Sequence, residues 1–317
     1  MNKNSRTAAL VRKFSGSLLA ILLVTSSTEA ASGKPPRMLV SSFTKGAAYI
    51  ITPDGAIEWE YKMPGLCQDA WMLPGGDIVL TGFSCIRRVT REKAIVWEYT
   101  SPTNVGKTQI HTCQAFPDGR VLFTECGTSR LIELDANGTI AKQIVLKELK
   151  NDHHTFSRQI RKLANGNYLI VATGDGKVCE LDPDGKIIRS VSSKEMAAQG
   201  VRWVSVHAAV KLDNGNLMIS GGHVASLAEV DKDNKVVWSF TSADAPAELG
   251  LKYTAGFQIM PDGVIVIAAF DSKTKLYAID KATKKVLWRM ENGNLIGNPT
   301  HVLVLDGSEK EIGKLMR

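Results

Sequence analysis

The sequence predicts an all-β protein, a six-bladed β-propeller with four antiparallel strands in each blade. A glycine turn recurs between apolar runs with a period of about 45 residues. A second series of strand–turn–strand segments interleaves with the first, and helical periodicity is nearly absent. Repeats of 40–50 residues with four short strands each are typical of propeller blades.

The first series fixes the boundary between the first two strands of each blade, which we call a and b. Segments such as "AFPDGRVLFTE" and "KLDNGNLMISG" join an apolar residue, a turn and an apolar strand. Asp-Gly and Asn-Gly between apolar runs are strong hairpin signals. The turn glycines are 43 to 49 residues apart and are Gly76, Gly119, Gly166, Gly215, Gly263 and Gly307.

The second series marks the outer pair of strands, c and d, in segments such as "EVDKDNKVVWSF". Tryptophan occupies the equivalent place in four units, and a basic residue occupies it in two. We expect these side chains to pack between blades. They are Trp59, Trp97, Trp238 and Trp288, with Lys142 and Arg189 in the other two units.

The two ends of the chain are predicted to share one blade. The N-terminal part supplies three strands ("RMLVSS", "AAYIITP", "AIEWEY"), and "THVLVLD" near the C-terminus supplies the fourth. The ring is then closed by both termini and has no free edge between blades. The predicted propeller domain is residues 31–317.

Residues 1–30 have the layout of a signal peptide: a basic segment, a short apolar run and small residues before Ala30. The apolar run is too short to span a bilayer, and no later segment is apolar enough to do so. The first cysteine after the predicted cleavage site is Cys67, so we expect no lipid anchor. The sequence therefore predicts a periplasmic or secreted monomer.

The charge argues against nucleic-acid binding. The chain carries +7, but four basic residues and one acidic residue lie in the predicted leader, which leaves +4. No basic run with interleaved aromatic residues follows. The expected partners are a small molecule or an envelope protein.

The segment "LYAIDKATKKVLW" (Leu276–Trp288) resembles the Ala-x-Asp-x-x-Thr-Gly-x-x-x-Trp repeat of PQQ-like propellers, with Lys284 at the usual glycine position. This resemblance implies a propeller of the quinoprotein-like superfamily. Quinoprotein dehydrogenases are typically larger and eight-bladed, so we do not expect PQQ as a cofactor of this six-bladed chain.

Counting eight residues back from each turn glycine gives the start of strand a, which lines the channel of a propeller. We expect these positions to form a ring at one mouth of the channel. They are Gln68, His111, Arg158, His207, Ala255 and Thr300, the last beside His301.

Other polar residues are predicted on the same face, where the longest loops also lie. Glu125 ends a strand b and is expected opposite His111, where a carboxylate would fix the imidazole tautomer. His223 follows another strand b. Of the adjacent His153 and His154, at most one is expected to face the channel. Trp203 and Tyr253 are candidates for contact with a ligand.

A divalent metal is an open alternative at this ring. His111, His207 and Glu125 are the candidate ligands, since imidazole and carboxylate suit zinc, copper or iron. No His-x-His pair is present, so the ligands would come from different blades.

The cysteines have two interpretations. A disulfide between Cys67 and Cys85 is expected if the protein is exported. Cys113 could instead form a nucleophilic pair with His111, or remain a buried thiol. Cys179 is predicted to be a core residue.

Three functions are compatible with these observations. In the first, the ring binds a small polar or anionic ligand through Gln68, His111, Arg158 and His207. In the second, the protein is a transferase or hydrolase. "SVHAAVKLDNGNLMIS" (Ser205–Ser220) resembles a segment of periplasmic arylsulfotransferases, which implies His207 as the nucleophile, with Arg158 and His111 stabilising an anion. In the third, it is an envelope scaffold that uses exposed loop residues such as Leu249 and Leu251.

Overall fold

The computed structural model describes residues 33–102, 108–290 and 293–305. The predicted signal peptide and Gly307 lie outside the described residues. Almost all regular structure in these ranges is β-strand, in six four-stranded antiparallel sheets. The predicted all-β, six-bladed architecture is confirmed.

Each sheet is one blade, and in blades 2 to 6 the strands follow in chain order from inner to outer edge. Blade 1 contains β1 (Met38–Ser42), β2 (Ala47–Ile51), β3 (Ile57–Lys62) and, as its inner strand, β24 (Pro299–Val304). Blade 2 contains β4 (Ala70–Met72), β5 (Ile78–Thr81), β6 (Cys85–Val89) and β7 (Ile95–Thr100). Blade 3 contains β8 (Cys113–Ala115), β9 (Val121–Glu125), β10 (Arg130–Leu134) and β11 (Ile140–Val145).

Blade 4 contains β12 (Gln159–Lys162), β13 (Tyr168–Ala172), β14 (Lys177–Leu181) and β15 (Ile187–Ser192). Blade 5 contains β16 (Ala208–Lys211), β17 (Leu217–Ser220), β18 (Leu227–Val230) and β19 (Val236–Phe240). Blade 6 contains β20 (Phe257–Ile259), β21 (Val264–Ala268), β22 (Leu276–Asp280) and β23 (Val286–Met290). The described loops contain two short α-helices, α1 (Ser193–Ala197) and α2 (Gly293–Ile296), and two 3-10 helices, Thr173–Asp175 and Ala247–Leu249.

The ring closes through β24, as the sequence predicts. β24 pairs antiparallel with β1, with Met38 opposite Val304 and Val40 opposite Val302. Blade 1 therefore combines strands that lie more than 250 residues apart in the chain, for example through the bond between Ser41 and Thr300.

The inner strands face one another around the axis and are joined by side chains. Three glutamines, two of them fully buried, accept a hydrogen bond from a backbone N–H of the next inner strand. Gln114 accepts from Lys162, Gln159 from Ala209 and Gln258 from Val304, at 2.6–2.7 Å. A buried backbone N–H without a partner would be costly. The glutamine side chains supply an acceptor for these N–H groups, because the inner strands of neighbouring blades do not pair with each other in a sheet.

The turn glycines have the backbone conformation that their position requires. Between strands a and b, Gly76, Gly119, Gly166, Gly215 and Gly263 have φ of 83–90°. This left-handed region is accessible to glycine at little cost. Lys284, which replaces glycine in its turn, has φ of 60°.

The tryptophans of the outer strands link neighbouring blades, as predicted. The Nε1 atoms of Trp59, Trp97 and Trp238 donate to a carbonyl in the outer turn of the next blade, at 2.9–3.1 Å. Where the tryptophan is replaced, a basic side chain makes the same kind of bond: Lys142 Nζ donates to the carbonyl of Pro183 at 2.8 Å. The repeat position thus encodes a donor as well as apolar packing.

The five cysteines are free, buried thiols. The predicted disulfide between Cys67 and Cys85 is wrong, because both are free thiols. Both pack in the apolar cluster between blades 1 and 2. Cys113 packs with Phe123 and Trp71 between blades 2 and 3, which leaves the buried-thiol interpretation for this residue. Cys179 lies in the core of blade 4, as predicted.

Candidate functional site

A cluster of polar side chains lies where several inner strands begin. Gln68 and His111 stand two residues before β4 and β8, and Arg158 and His207 stand one residue before β12 and β16. Backbone bonds fix the last two: Arg158 N donates to the carbonyl of Val171, and His207 N to that of Ser220. Each side chain is therefore carried by the rigid end of a blade.

Arg158 is the centre of this cluster. Its Nη1 lies 3.0 Å from Nδ1 of His111 and 3.3 Å from Oε1 of Gln68, and its Nη2 lies 2.8 Å from Nε2 of His154. The amide nitrogen of Gln68 also contacts His111 Nδ1. Three neutral acceptors therefore surround one guanidinium.

These contacts assign the histidine tautomers. A guanidinium has donors only, so Nδ1 of His111 and Nε2 of His154 must both accept. The proton of His154 is then on Nδ1, where it reaches Oε1 of Gln109 at 2.9 Å. The proton of His111 is on Nε2, a buried atom, and the backbone of His154 interacts with this ring.

Burial and positive neighbours keep these imidazoles neutral. Burial first, and the Arg158 charge second, hold the pKa of His111 well below its usual value. The same two causes lower the pKa of His154. Burial also lowers the pKa of Arg158, but a guanidinium remains charged in proteins. The cluster thus carries one fixed positive charge.

A second group of rings extends from His207. Its Nδ1 lies 2.9 Å from Oη of Tyr253, and its ring centroid lies 5.5 Å from that of His301. The ring of His223 packs edge-on against Tyr253 with centroids 4.6 Å apart. Burial, then the neighbouring His301 and Arg158, hold the pKa of His207 well below its usual value.

The loop before β12 is shaped by Asp152. Its Oδ1 accepts bonds from the backbone N–H groups of His154 and Thr155 at 2.8 and 2.6 Å. These bonds lower the pKa of Asp152 to about 2. Such a turn around an aspartate side chain directs His154 to Arg158 and leaves His153 exposed. The prediction that at most one of the two histidines faces inward is consistent with this arrangement.

The polar cluster borders a cavity of about 260 Å³, which we call the inner cavity. One wall is polar and includes Gln68, His154, Arg158, His207 and Thr300. The other wall is aromatic and consists of Phe43, Tyr253 and Phe270. The ring centroid of Phe270 lies 5.6 Å from that of Phe43 and 5.3 Å from that of Tyr253. Thr155, Thr173, Ser205 and His223 complete the lining.

Of the six positions predicted by counting, four line the inner cavity: Gln68, Arg158, His207 and Thr300. His111 lies behind Arg158 and is 1% exposed. Ala255 is fully buried in the apolar cluster between blades 6 and 1.

Glu125 does not contact His111. The register of β8 and β9 places Cys113 opposite Phe123, as the predicted turn requires, but the carboxylate binds elsewhere. It accepts bonds from Tyr99 and Thr128, from Ser101, and from Nη2 of Arg130 at 2.6 Å. Burial acts to raise the pKa of Glu125, and the bonds from Ser101, Thr128 and Arg130 outweigh it and lower the pKa. Glu125 therefore ties blade 2 to blade 3.

Trp203 is also not part of the cavity lining. It is 6% exposed and packs with Val201 and Met196 in the apolar cluster between blades 4 and 5. Tyr253, the other aromatic candidate, does line the cavity.

Counting missed a second set of lining residues that follow strand b. Phe43, Thr173 and Phe270 lie just after β1, β13 and β21, the place that His223 occupies after β17. Of these residues, only the histidine has a side chain type that predicts a functional site from sequence alone.

Metal and thiolate chemistry have little support in these ranges. No group of three or more His, Cys, Asp or Glu side chains in the described residues is arranged to hold a metal ion. Burial raises the pKa of Cys126 and of Cys179 to about 12, so both stay protonated thiols at neutral pH.

In the described part of the chain, no helix has the length and apolar character needed to cross a membrane.

Solved structures share this fold. The chain is similar to a protein of unknown function from Bacteroides caccae, with 22% identity and a TM-score of 0.73 over 84% of this chain and 98% of the other. It is also similar to a streptogramin B lyase, with 14% identity and a TM-score of 0.55 over 82% of this chain and 83% of the other.

A third similar structure is virginiamycin B lyase from Staphylococcus aureus, as a catalytically inactive histidine-to-alanine variant with quinupristin. The identity is 15% and the TM-score 0.55, over 81% of this chain and 84% of the other. At these identities the likeness concerns the fold alone. Among curated proteins, none matches the sequence.

A comparison with protein families covers the greater part of the chain. Residues 89–228 and 222–307 match the family described as "Outer membrane protein assembly factor BamB". These ranges include all strands of blades 3 to 6 and the closing strand β24. The resemblance to PQQ-like repeats is thereby confirmed, whereas the resemblance to arylsulfotransferases stays a prediction. The chain belongs to the PQQ-like repeat family of β-propellers that carries this description.

Proposed function

We propose that this propeller binds a small organic molecule in the inner cavity through one oxyanion group, such as a carboxylate. The observation that carries the proposal is the guanidinium of Arg158, whose hydrogen bonds in the described part of the chain all go to neutral side chains. Asp152 acts on it through space and forms no ion pair with it. Among the described residues that line the cavity, none is Asp, Glu or Lys. A buried charge without a counterion is unfavourable, and an oxyanion would supply that counterion with strong, charge-assisted hydrogen bonds.

The rest of the lining supports an organic ligand. Three aromatic side chains, Phe43, Tyr253 and Phe270, line the same cavity as Arg158. Small-molecule sites are mostly apolar, with a few polar groups that fix the ligand. A ligand with one anionic group and a flat apolar body matches both walls.

Calorimetric titration and thermal shift test this proposal at pH 7.5 with benzoate, phenyl sulfate, acetate and inorganic phosphate. The variants are Arg158→Gln, Arg158→Lys and, as a control, Arg120→Gln, which removes an exposed arginine paired with Asp118. A ligand at a hundred times its Kd adds about 2.7 kcal/mol to stability. We expect R158Q to bind roughly 10–100-fold more weakly, since a hydrogen bond to a charged group contributes about 1.5–3 kcal/mol.

The control variant and R158K should keep binding, the latter with reduced affinity because lysine lacks the planar fork. If no anion of the panel stabilises the wild type, or if R158Q binds as well as the control, the proposal is wrong.

We also propose that the mature chain, residues 31–317, is periplasmic or secreted. The proposal is supported by the basic, apolar and small-residue order of residues 1–30. N-terminal sequencing of protein recovered from the periplasm tests it, with residue 31 expected as the first residue.

An enzymatic role for His207 is a second candidate, favoured by one observation. The imidazole lines the cavity, and its low pKa keeps the ring unprotonated, the form in which it can act as a nucleophile. Incubation with aryl sulfates and aryl esters, beside His207→Gln, tests for turnover. Release of the phenol by wild type but not by the variant would establish this role.

An interaction scaffold is the third candidate, and the family description agrees with it. The loop residues expected to be exposed do not carry it: Leu249 is 1% exposed, and Leu251 packs against the same cluster. Exposed apolar side chains lie instead on the outer strands, for example Val145, Ile188 and Val237, each 53% exposed.

A further inference from the structure

A second cavity, of about 640 Å³, lies beside the inner cavity and shares His223 with it. We call it the outer cavity. Its charged residues are Arg202, Lys252 and Asp271, and its polar lining includes Thr241 and Ser242. It is larger than the inner cavity and contains no aromatic ring other than His223 in its described lining.

The two cavities are joined by one chain of contacts. The exposed ring of His223 packs on Tyr253, and Tyr253 bonds to His207 in the polar wall of the inner cavity. Lys252 adjoins Tyr253 in sequence and lines the outer cavity. His223 therefore lies at the boundary between the two cavities.

The outer cavity has an excess of positive charge. Arg202 and Lys252 face a single acidic side chain, Asp271, among the described lining residues. Neither basic side chain forms an ion pair or a hydrogen bond with the described residues, and both are exposed. Each cavity thus offers a net positive charge, that of Arg158 inside and about one unit outside.

The loops around both cavities are held in uncommon backbone conformations. Ser205, which lines the inner cavity, has φ of 61°, and Asp271, which lines the outer one, has φ of 49°. A side chain on Gly222 would lie 2.2 Å from the carbonyl oxygen of Ser205. Outliers of this kind occur preferentially at binding sites.

We propose that the two cavities are subsites for one elongated organic dianion. One anionic group is bound by Arg158 in the inner cavity, and the chain of the ligand passes His223. The second anionic group lies between Arg202 and Lys252. This inference rests on the proposed function of the inner cavity and adds the length and the second charge of its ligand.

Two matched series of carboxylates test the inference by calorimetry at pH 7.5 and low salt. The monoanions are butanoate, hexanoate and octanoate, and the dianions of the same chain lengths are succinate, adipate and suberate. We expect the dianion to bind about fivefold more tightly than its monoanion only when it is long enough to reach the outer cavity, since exposed ion pairs contribute modestly. The advantage should shrink at high salt, where exposed charges are screened.

Variants separate this inference from the proposed function. Arg202→Gln/Lys252→Gln should abolish the advantage of the long dianion and leave monoanion binding unchanged. The control Lys62→Gln/Lys232→Gln changes the net charge equally, at side chains that are 77% and 84% exposed. It should retain the advantage.

Equal binding of suberate and octanoate, both lost in Arg158→Gln, would overturn the two-subsite inference while the inner anion site stands. A dianion advantage that persists in the outer double variant would overturn it too. Carboxylate binding that is absent, or indifferent to Arg158→Gln, would overturn the proposed function and this inference with it.

Discussion

The guanidinium of Arg158 lies 3.0 Å from Nδ1 of His111, which makes this histidine an acceptor held in a single tautomer. The two residues belong to neighbouring blades and stand before β12 and β8, respectively. The bond therefore connects the rigid ends of two blades at the wall of the cavity. A neutral imidazole does not offset the positive charge of Arg158.

We expect the imidazole of His111 to be neutral from pH 8 to pH 5.5, with its proton on Nε2. Burial and the Arg158 charge both oppose protonation. Long-range ¹H–¹⁵N correlation spectra of ¹⁵N-histidine-labelled protein report the tautomer directly. In Arg158→Gln the pKa of His111 should rise, because one of the two causes is removed. A Nδ1–H tautomer, or titration of wild-type His111 near pH 6.5, would show that the bond to Arg158 is not formed.

The stability of the fold should fall on mild acidification. His111 and His207 have pKa values well below 6.5 in the folded state, so the unfolded chain binds more protons below pH 6.5 and stability rises with pH there. Each of these two buried histidines should lower the free energy of unfolding by about 1 kcal/mol for each pH unit below 6.5. Urea unfolding at pH 7.5, 6.5 and 5.5 measures this effect.

The free energy of unfolding should depend less strongly on pH in His111→Gln/His207→Gln, because this variant lacks both imidazoles. Glu125 and Asp152 have lowered pKa values, so carboxylate protonation adds to the loss only at lower pH. Equal stability of wild type at pH 7.5 and 5.5 would mean that the buried histidines take up protons without cost.

The fold could be predicted because its signals are local and repeated. A glycine at Gly119 or Gly215 is required by the turn itself, and the same turn recurs once in every blade. Counting back from these glycines then locates Gln68, Arg158 and His207, because strand length fixes the distance from the turn to the other end of strand a.

The direction and partners of a side chain depend on neighbouring blades, which counting along one blade does not include. Glu125 lies at the predicted register, but its carboxylate accepts hydrogen bonds from Tyr99 and Ser101. These two residues lie at the end of the outer strand of blade 2. Trp203 lies in a loop that packs against Met196 of α1. The sequence gives no local signal for such tertiary contacts.

Glu125→Gln should destabilise the protein without changing anion binding. The carboxylate is fully buried and forms an ion pair with Arg130 at 2.6 Å. Breaking a buried, hydrogen-bonded pair costs about 3–5 kcal/mol. The control Glu98→Gln breaks a more exposed pair with Arg87, for which we expect a cost of about 0–1 kcal/mol. Urea unfolding gives both values, and calorimetry with benzoate gives the Kd. If E125Q had unchanged stability but a higher Kd for benzoate, Glu125 would be part of the ligand site and this prediction would be wrong.

Closure of the ring predicts a large effect for one leucine near the C-terminal end of the described chain. Leu303 in β24 is 1% exposed, lies opposite Leu39 of β1 and packs in the cluster between blades 1 and 2. Leu303→Ala should lower the free energy of unfolding by about 2–5 kcal/mol, the range for buried leucines. Leu295 is 48% exposed, and Leu295→Ala, only eight positions earlier, should have an effect within about 0.5 kcal/mol. Similar stabilities of the two variants in urea would mean that β24 does not close the ring in solution. A loss confined to Leu303→Ala would show that the strand supplied from the far end of the chain is part of the cooperative core.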